Sequence, residues 1–415
     1  MNWKPPQSGH SPIGKEPSDL PAIAGGAPVR SRQTRIVFGA PLLGEAEVAS
    51  VADCIRSGWI GMGERVGRFE REFATYTRAP YSAAVSSCSA ALHLALEALG
   101  IQPGDEVIAS TLTFCSTVHA ILHVGATPVL VDSDRSSLNI DPDAIARTIT
   151  PRTRAVIAVH LCGRSCEMSA INEIAERHHL KVIEDCAHAI ETTYRGVSAG
   201  LLGDAGCFSF YPTKSITTGD GGMVISRHRE LIERVKLMSY NGVATTAWTR
   251  FAGDAAGYEV PAAGYKYNMT DLEAALALPQ LPLLEERWAQ RQSLWRVYDE
   301  RLKGLPLTLP STGADENRHA YHLYTPRLQL EKLSVGRREV VAAMEAENIG
   351  VGIHYEPVHI QPFYTERFGR DDAKFPKATY IGERTISLPL SAGLTEADIT
   401  DVCAAFTRIL RYYAT

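Results

Sequence analysis

Short apolar runs alternate with amphipathic segments between residues 82 and 226. The segments between the runs predict helices over 89–99, 116–123, 142–148 and 169–179. The seven apolar runs have the length of buried strands and cover 83–86, 106–110, 127–131, 155–160, 181–184, 205–210 and 222–226. Continuous apolar strands separated by helical crossovers indicate a mostly parallel sheet covered on both faces. The pattern therefore predicts an α/β fold around a seven-stranded, mostly parallel sheet.

A different pattern begins after Asp271. Pro279 and Pro282 interrupt the first of its helical segments. The predicted elements are, in order, an interrupted helix, a strand, a helix, a strand and a final helix, over 272–304, 321–328, 337–347, 385–389 and 396–413. We therefore predict three parts: a flexible N-terminal tail over 1–33, a large domain over 34–285 and a smaller C-terminal α+β domain over 286–415.

Composition and charge argue against several classes of protein. Hydrophobic residues make up 45% of the chain and charged residues 21%, which is ordinary for a globular protein. A net charge of −5 and the lack of a dense Lys/Arg cluster argue against a nucleic-acid partner. The first 33 residues lack the apolar core of a signal peptide, and no later run has the length of a membrane span. We expect a cytoplasmic protein with no membrane partner.

The eight cysteines are scattered through apolar segments. Cys162 and Cys166 lie closest together, but no second Cys or His pair beside them completes a zinc ligand set. We therefore predict reduced, mostly buried thiols and no metal site.

Residues with chemical potential follow the ends of the predicted strands. The carboxyl ends of parallel strands meet at one edge of a sheet, where ligands bind. We expect convergence there of Ser87 to Ser89, Thr113 and Phe114, His160, Asp185, and Ser209 with Lys214.

Lys214 and Asp185 carry the functional hypothesis. A lysine amine can form a Schiff base with the aldehyde of pyridoxal phosphate, and a carboxylate can keep the pyridine nitrogen protonated so that the ring withdraws electrons. Holding that proton through two or three pKa units requires about 3–4 kcal/mol. Asp185 could also be the N-cap of a helix that starts at Cys186, and the two roles are compatible.

The small residues at 85–91 could form a phosphate cradle. Backbone amides and the dipole at a helix N-terminus both favour an anion. The alternative is an ordinary strand-to-helix turn with Ser89 as N-cap. Ser209 would add a hydroxyl from another strand. Phe114 could stack on the pyridine ring, a contact worth about 0.5–1.5 kcal/mol, or it could be a core aromatic residue.

Two histidines have open roles. His188 lies about one helical turn from Asp185, and His160 follows the fourth strand. Either could bond the phenolic oxygen of the cofactor or the neighbouring carboxylate, or could be a structural histidine.

Several motifs occur in an order that is specific to one family. They include the segments 85–93, 104–108, 125–129, 159–163, 184–188, 208–214, 219–222, 264–271, 352–355 and 387–390. From about residue 36 to the C-terminus the chain resembles the DegT/DnrJ family of pyridoxal phosphate sugar aminotransferases, in the aspartate aminotransferase superfamily of fold type I. The resemblance implies that Lys214 is the Schiff-base lysine, that Asp185 pairs with the pyridine nitrogen, and that His188 lies beside the ring hydroxyl.

Further contacts are implied by the same resemblance. The phosphate would be held by Cys88, Ser89 and Ser209, and the ring face by Phe114. The family is a homodimer with shared active sites, in which Asn268 would reach the partner's phosphate. Cys88 and Ser89 depart from the usual glycine and threonine, but Ser89 keeps a hydroxyl group.

The expected reaction is transfer of an amino group from glutamate or glutamine to a nucleotide-linked keto sugar. Lys266 and Arg250 could supply positive charge for a diphosphate, or could be solvated surface charges. The turn Gly61-Met62-Gly63 replaces a more hydroxyl-rich turn where substrate is expected, and the segment 24–30 is similar to one in relatives that aminate cyclitols. A keto-cyclitol is therefore the alternative acceptor. Retention of Lys214 argues against a sugar dehydratase, and retention of both Lys214 and Asp185 against a non-catalytic sensor.

Overall fold

Seven strands form one sheet in the computed structural model, which describes residues 20–244, 248 and 258–415. The strands of the described residues are β1 Tyr81–Val85, β2 Glu106–Ser110, β3 Thr127–Val131, β4 Thr153–Val159, β5 Lys181–Asp185, β6 Thr193–Tyr194, β7 Val197–Ser198, β8 Ala205–Ser209, β9 Gly222–Ser226, β10 Leu307–Thr308 and β11 Arg327–Leu328. The main sheet has the order β1-β9-β8-β5-β4-β2-β3. β9 runs antiparallel to both its neighbours, and the other pairs are parallel. The predicted α/β fold with a seven-stranded, mostly parallel sheet is confirmed.

Helices cover both faces of this sheet because its strands are apolar on both sides. Val107 and Ala109 face a core that includes Leu92 and Val235, whereas Ile108 faces another core. The helices of this region are Glu45–Arg56, Glu64–Thr77, Cys88–Ala98, Cys115–His123, Pro142–Thr148, Met168–His178 and Arg229–Ser239. The predicted helices in this part of the chain agree with these bounds to within about two residues, the usual uncertainty at helix ends.

The later helices follow the interruption that the prolines predict. Helix Asp271–Ala277 ends before Pro279, a 3-10 turn covers Leu281–Leu283, and helix Leu284–Arg301 follows. The remaining helices are Arg337–Ala346, Pro362–Phe368, Pro376–Arg384 and Glu396–Tyr413. None of the helices in the described part of the chain is both long enough and apolar enough to cross a membrane.

The two strands predicted at 321–328 and 385–389 were largely wrong. Of these residues only Arg327 and Leu328 form a strand, and Tyr324↔Leu388 is an isolated bridge. Tyr321 has a φ of 51°, which is incompatible with an extended ladder. Tyr324 and Leu388 are fully buried in a core that these helices line, so their apolar pattern reports burial in a region where backbone pairing is limited to isolated bridges.

The described N-terminal segment packs against the C-terminal part of the chain. Ile36 belongs to a core made mostly of residues between 294 and 410, and it bridges Ile349. In the part of the predicted tail that is described, the amides of Ala22 and Val29 donate to the Glu347 carboxylate. Residues 1–19 of that tail lie outside the described residues. The boundary at 285 stays a prediction, and it falls in helix Leu284–Arg301.

Candidate active site

A cavity of about 460 Å³ opens at the carboxyl ends of the main strands. Most of the residues predicted from strand ends meet here. The lining includes Ser87, Cys88, Ser89, Thr113, Phe114, Asp185, His188, Ser209 and Lys214, together with Ser116, Tyr211, Asp220, His354 and Tyr355. The predicted convergence therefore takes place.

The strand register brings Ser209 close to the helix start at Cys88, and both were predicted to hold the phosphate. Gly222 of β9 pairs with Val85 on one side and with Ser209 on the other. A Cβ at Gly222 would lie 2.5 Å from the carbonyl carbon of Ser87 and 2.8 Å from the nitrogen of Cys88. Only glycine allows this approach, because any side chain there would overlap the backbone at the start of the next helix.

The helix beyond β1 begins one residue earlier than predicted. Ser87 is its N-cap and accepts a hydrogen bond from the amide of Ala90 at 3.1 Å. The alternative that made Ser89 the cap is wrong, since Ser89 lies in the first turn. The unpaired amides of a first turn and the helix dipole both favour an anion. Cys88 and Ser89 belong to this first turn and line the cavity.

Asp185 ends β5 and is buried. Its Oδ2 accepts from the Thr117 hydroxyl at 2.8 Å, and its Oδ1 accepts from the Ala187 amide at 3.1 Å. Burial raises the pKa of Asp185, and these two donors and the Lys214 charge oppose that rise. The expected helix from Cys186 does not form, because turns follow Asp185. The carboxylate is thus held in place by a turn and by a threonine of the neighbouring helix.

Lys214 follows β8 in a turn. Its backbone amide donates to the carbonyl of Tyr211 at 2.9 Å. Burial lowers the pKa of Lys214 to about 8, against the opposing influence of Cys88 and Asp185. About a tenth of such amines is neutral at pH 7, compared with less than about one in a thousand at the ordinary value of 10.5. The lysine is therefore suited to nucleophilic attack on an aldehyde.

His188 lies on the cavity wall and is neutral. Burial lowers its pKa well below the usual value, and Lys214, His322 and His354 add to this effect. Its Nδ1 accepts from the amide of Cys162 at 3.3 Å, and its Nε2 lies 3.2 Å from the hydroxyl of Tyr355.

Phe114 lies at the mouth of the cavity and is 54% exposed. It occupies the N-cap position of helix Cys115–His123 and is 5.9 Å from the ring of Tyr355. Its exposure is inconsistent with a core aromatic residue and leaves its ring accessible to a ligand.

His160 does not line the cavity. Its Nε2 lies 2.8 Å from Oε2 of Glu184, and its Nδ1 accepts from the amide of Cys166 at 3.0 Å. Both ring nitrogens are engaged, so the structure contradicts its predicted contact with a cofactor and supports the structural alternative. Turning the ring toward the cavity would break both of these contacts.

One group of possible metal ligands is present in the described residues. Single ligand atoms of His160, Glu184 and Cys186 lie within 4.8 Å of one another. The Glu184 oxygens also accept from the amides of Gly200, Leu202 and Gly203 at 2.7–2.8 Å. Since these oxygens already bond the protein, we interpret the group as structural. The described cysteines are free thiols, and all except Cys115 are buried.

Asn268 and Lys266 lie outside the cavity lining of their own subunit. Asn268 bridges Val85, and its amide nitrogen donates to the carbonyl of Met269 at 3.1 Å. Its buried Oδ1 has no hydrogen-bond partner among the described residues. The ammonium of Lys266 lies 4.5 Å from the ring centre of Tyr240. Arg250, the other predicted positive charge, lies outside the described residues.

Thr117 and Tyr355 are among the residues of the site that were not identified from the sequence. Thr117 bonds Asp185 and also lies 2.8 Å from the hydroxyl of Thr113. Tyr355 belongs to the motif at 352–355, which was noted only as part of the resemblance. Their distance from Asp185 along the chain gives no signal, because only the packing of a helix and of a segment far along the chain brings them to the site.

The groups around the cavity fit pyridoxal phosphate. The amides at the start of the helix and the Ser209 hydroxyl offer donors for a phosphate. The close contact between Gly222 and the backbone of Ser87 and Cys88 keeps these donors near one another. Lys214 supplies an amine with a lowered pKa, and Asp185 supplies a carboxylate for a ring nitrogen. These residues would hold the cofactor by its phosphate, its aldehyde and its pyridine nitrogen.

Comparisons with known proteins agree with this chemistry. The model of the DegT/DnrJ/EryC1/StrS aminotransferase family matches residues 41–407. Over 385 residues the chain is 43% identical to the spore coat polysaccharide biosynthesis protein SpsC of Bacillus subtilis (strain 168), covering 92% of this chain and 99% of SpsC.

Solved structures are also similar. Spr1654 of Streptococcus pneumoniae in its PMP form has a TM-score of 0.86 at 29% identity, with 91% of this chain and 99% of that chain covered. DesI, solved in the presence of its TDP-sugar product, has a TM-score of 0.83 at 28% identity, with 94% and 96% covered. The fold is that of fold type I enzymes, and the cofactor is pyridoxal phosphate. The match over 41–407, in which every predicted strand-end residue except His160 reaches the cavity, shows that the chain belongs to the DegT/DnrJ/EryC1/StrS aminotransferase family.

Proposed function

We propose that this aminotransferase moves an amino group from glutamate, or glutamine, to the keto group of a nucleotide-linked sugar. The observation that carries the proposal is the placement of Lys214, Asp185 and the helix start at Ser87 around one cavity. Its relatives support the acceptor class. SpsC is named for polysaccharide biosynthesis, Spr1654 is named provisionally as a sugar aminotransferase, and DesI was solved with a TDP-sugar product.

The proposed roles follow from the contacts. The chemistry supplied by bound pyridoxal phosphate is electron withdrawal and temporary storage of the amino group. Lys214 would hold the cofactor by its aldehyde and, as a free amine, would take and return the substrate proton. Its pKa of about 8 allows both directions of proton transfer near neutral pH. Asp185 keeps its orientation through Thr117 and the Ala187 amide.

Shared sites in a homodimer are part of the proposal. Phe114 and Tyr211 at the cavity mouth are 54% and 51% exposed, which leaves apolar surface for a partner to cover. Asn268 has a buried oxygen with no partner among the described residues, and its amide nitrogen, which donates to the carbonyl of Met269, has a second hydrogen to donate. We propose that Asn268 reaches the phosphate of the partner's cofactor.

Positive charge for a diphosphate would also come from this region. Lys266 is exposed and precedes Asn268 by two residues. A loop that brings Asn268 to the partner's cavity brings Lys266 with it. The lysine would then contact the diphosphate at the entrance as a point charge.

Reverse transamination tests the acceptor class. The pyridoxal phosphate form would be mixed with UDP- and dTDP-linked 4-amino sugars, and separately with scyllo-inosamine, while its visible absorption is followed. We expect loss of the lysine-bound absorption with a nucleotide sugar and its recovery on addition of 2-oxoglutarate. Lys214→Arg is the control, because it keeps a positive charge but cannot form the Schiff base. A response to the cyclitol alone would refute the nucleotide-sugar proposal.

A further inference from the structure

The segment 36–42 is attached to the later half of the chain at both ends. The amide of Ile36 donates to the carbonyl of Asn348 at 3.1 Å, and the carbonyl of Ile36 accepts from the amide of Gly350 at 2.9 Å. At the other end, the carbonyl of Leu42 accepts from the Arg287 guanidinium at 3.1 Å. These bonds fix where the residues between the two ends can lie.

Gly39, in the middle of this segment, lies against the residue that precedes Lys214. It has a φ of 67°, in the left-handed region that favours glycine. A Cβ on Gly39 would lie 2.6 Å from Cγ2 and 3.0 Å from Cβ of Thr213. A side chain at this position would therefore push the segment and the Lys214 turn apart.

Phe38 fixes the segment directly before Gly39. Its ring centre lies 5.5 Å from that of His354, which lines the main cavity. A Cβ on Gly352 would lie 2.9 Å from two atoms of the Phe38 ring. The ring thus packs closely on the backbone of Gly352, at the wall of the main cavity.

Little space remains between the segment and Lys214. A second cavity, of only about 30 Å³, is bordered by Ala40, Pro41 and Leu42 on one side and by Thr213 and Lys214 on the other. This space has room for about two water molecules. The segment therefore shields this side of Lys214 from bulk water.

These contacts give the segment a role in the chemistry of Lys214. We propose that Gly39 and Phe38 are positioning residues that hold the segment 36–42 against the Lys214 turn, so that it keeps bulk water from the lysine amine. The proposal rests on the aminotransferase function above, in which Lys214 acts through that amine. Loss of water disfavours the charged form of an amine, and burial is the largest cause of the lowered pKa of Lys214.

The segment acts on Lys214 through solvation alone, because residues 36–42 contain no ionisable side chain. Charged and titratable groups face Lys214 from other elements, and Arg287 and Arg291 line the small cavity. Those that interact electrostatically with Lys214 include Cys88, Cys162, Asp185, His188, His322 and His354. Displacing the segment would therefore change the hydration of the amine without adding or removing a charge.

Capture of pyridoxal phosphate by the cofactor-free protein tests the proposal without measuring turnover. Its rate, followed by the lysine-bound absorption, depends on the neutral fraction of the amine, so its pH dependence reports the pKa of Lys214. In Gly39→Ala the midpoint of this dependence should rise by about 0.5–1 pH unit, because the amine is better hydrated. Capture at pH 7 should then slow about three- to tenfold.

Gly304→Ala is the matched control. Gly304 also has a positive φ, of 83°, but no atom of the described residues lies within 4 Å of its Cβ position. The control therefore carries the same kind of backbone strain as Gly39→Ala without a close contact. Its midpoint should equal that of the parent protein.

Two further substitutions separate close contact from strain. Thr213→Ser removes the Cγ2 atom that a methyl group at Gly39 would meet. Adding it to Gly39→Ala should return the midpoint part of the way to that of Thr213→Ser alone. Phe38→Ala loosens the segment without strain at a positive φ and should raise the midpoint as well. It decides the question by itself if Gly39→Ala does not fold.

Contrary results have distinct meanings. A midpoint that stays at the parent value in Gly39→Ala and Phe38→Ala would overturn the proposal. An equal shift in Gly304→Ala, or no recovery on adding Thr213→Ser, would overturn it too, because backbone strain would then explain the effect. Failure of the unaltered protein to capture pyridoxal phosphate would instead refute the proposed function.

Discussion

The Lys214 ammonium should destabilise the cofactor-free protein, and replacing it should therefore be stabilising. Burial lowers the pKa of Lys214 from the ordinary 10.5 to about 8. At about 1.36 kcal/mol per pKa unit, the shift corresponds to an upper value of about 3 kcal/mol. The side chain borders an open cavity, and partial solvation reduces the expected effect to about 2 kcal/mol.

The sign follows from proton binding in the two states. Between pH 8 and pH 10.5 the unfolded chain holds a proton on this lysine that the folded chain has lost, so stability rises with pH across this window. Lys214→Met removes the charge at similar length. We expect the cofactor-free variant to exceed the parent in free energy of unfolding by about 2 kcal/mol at pH 7, with the difference falling toward pH 10.5.

Urea unfolding of both cofactor-free proteins at pH 7 and pH 10 measures this difference. Packing of the methionine contributes equally at both values, so the change between them isolates the charge. Lys303→Met, at an exposed lysine, is the control and should show no such pH-dependent gain. A stability difference that is the same at pH 7 and pH 10 would refute the reasoning, as would a destabilised variant at pH 7.

Three further predictions concern the site and its support. Asp185→Asn should still bind the cofactor by its phosphate but lose at least about a hundredfold in kcat, because the ring is no longer held protonated; an unchanged kcat in steady-state assays would exclude the assigned role. Mixed Lys214→Ala and Asn268→Ala subunits should recover part of the activity in heterodimers, and the absence of recovery in confirmed heterodimers would contradict shared sites. Arg291→Met leaves Glu191, its partner at 2.6 Å, buried without that charge, and should cost about 3–5 kcal/mol in urea unfolding. Adding Glu191→Leu should restore most of that loss; a double variant no better than the single one would contradict the ion-pair explanation.

The strands and the edge that carries the site were predictable because both depend on local pattern. Ile108 and Val107 face different cores, and only a run that is apolar on both sides produces a strand covered on both faces. In the C-terminal part of the chain the apolar runs were less informative. Tyr324 and Leu388 pair only through an isolated bridge in a core that helices line, and apolar spacing does not distinguish such core residues from those of a continuous strand.

His160 shows where residue type and position stop being informative. It directly follows β4, at the same edge of the sheet as the catalytic residues. However, the neighbouring strand β5 places Glu184 beside it, and its ring bonds Glu184 and does not line the cavity. Thr117 shows the converse. Nothing in its sequence context marks it, yet packing of its helix places its hydroxyl on Asp185.

The sequence by itself determined the α/β sheet, the edge where chemistry occurs, and the lysine and carboxylate that carry it, because strand periodicity and residues at strand ends are local properties. The tertiary structure decided which groups act on them. Burial lowered the pKa of Lys214, the turn at Cys162 placed its amide on Nδ1 of His188, and a segment far along the chain supplied Tyr355. These depend on distances between segments that are far apart in the chain, and such distances exist only once the chain has folded.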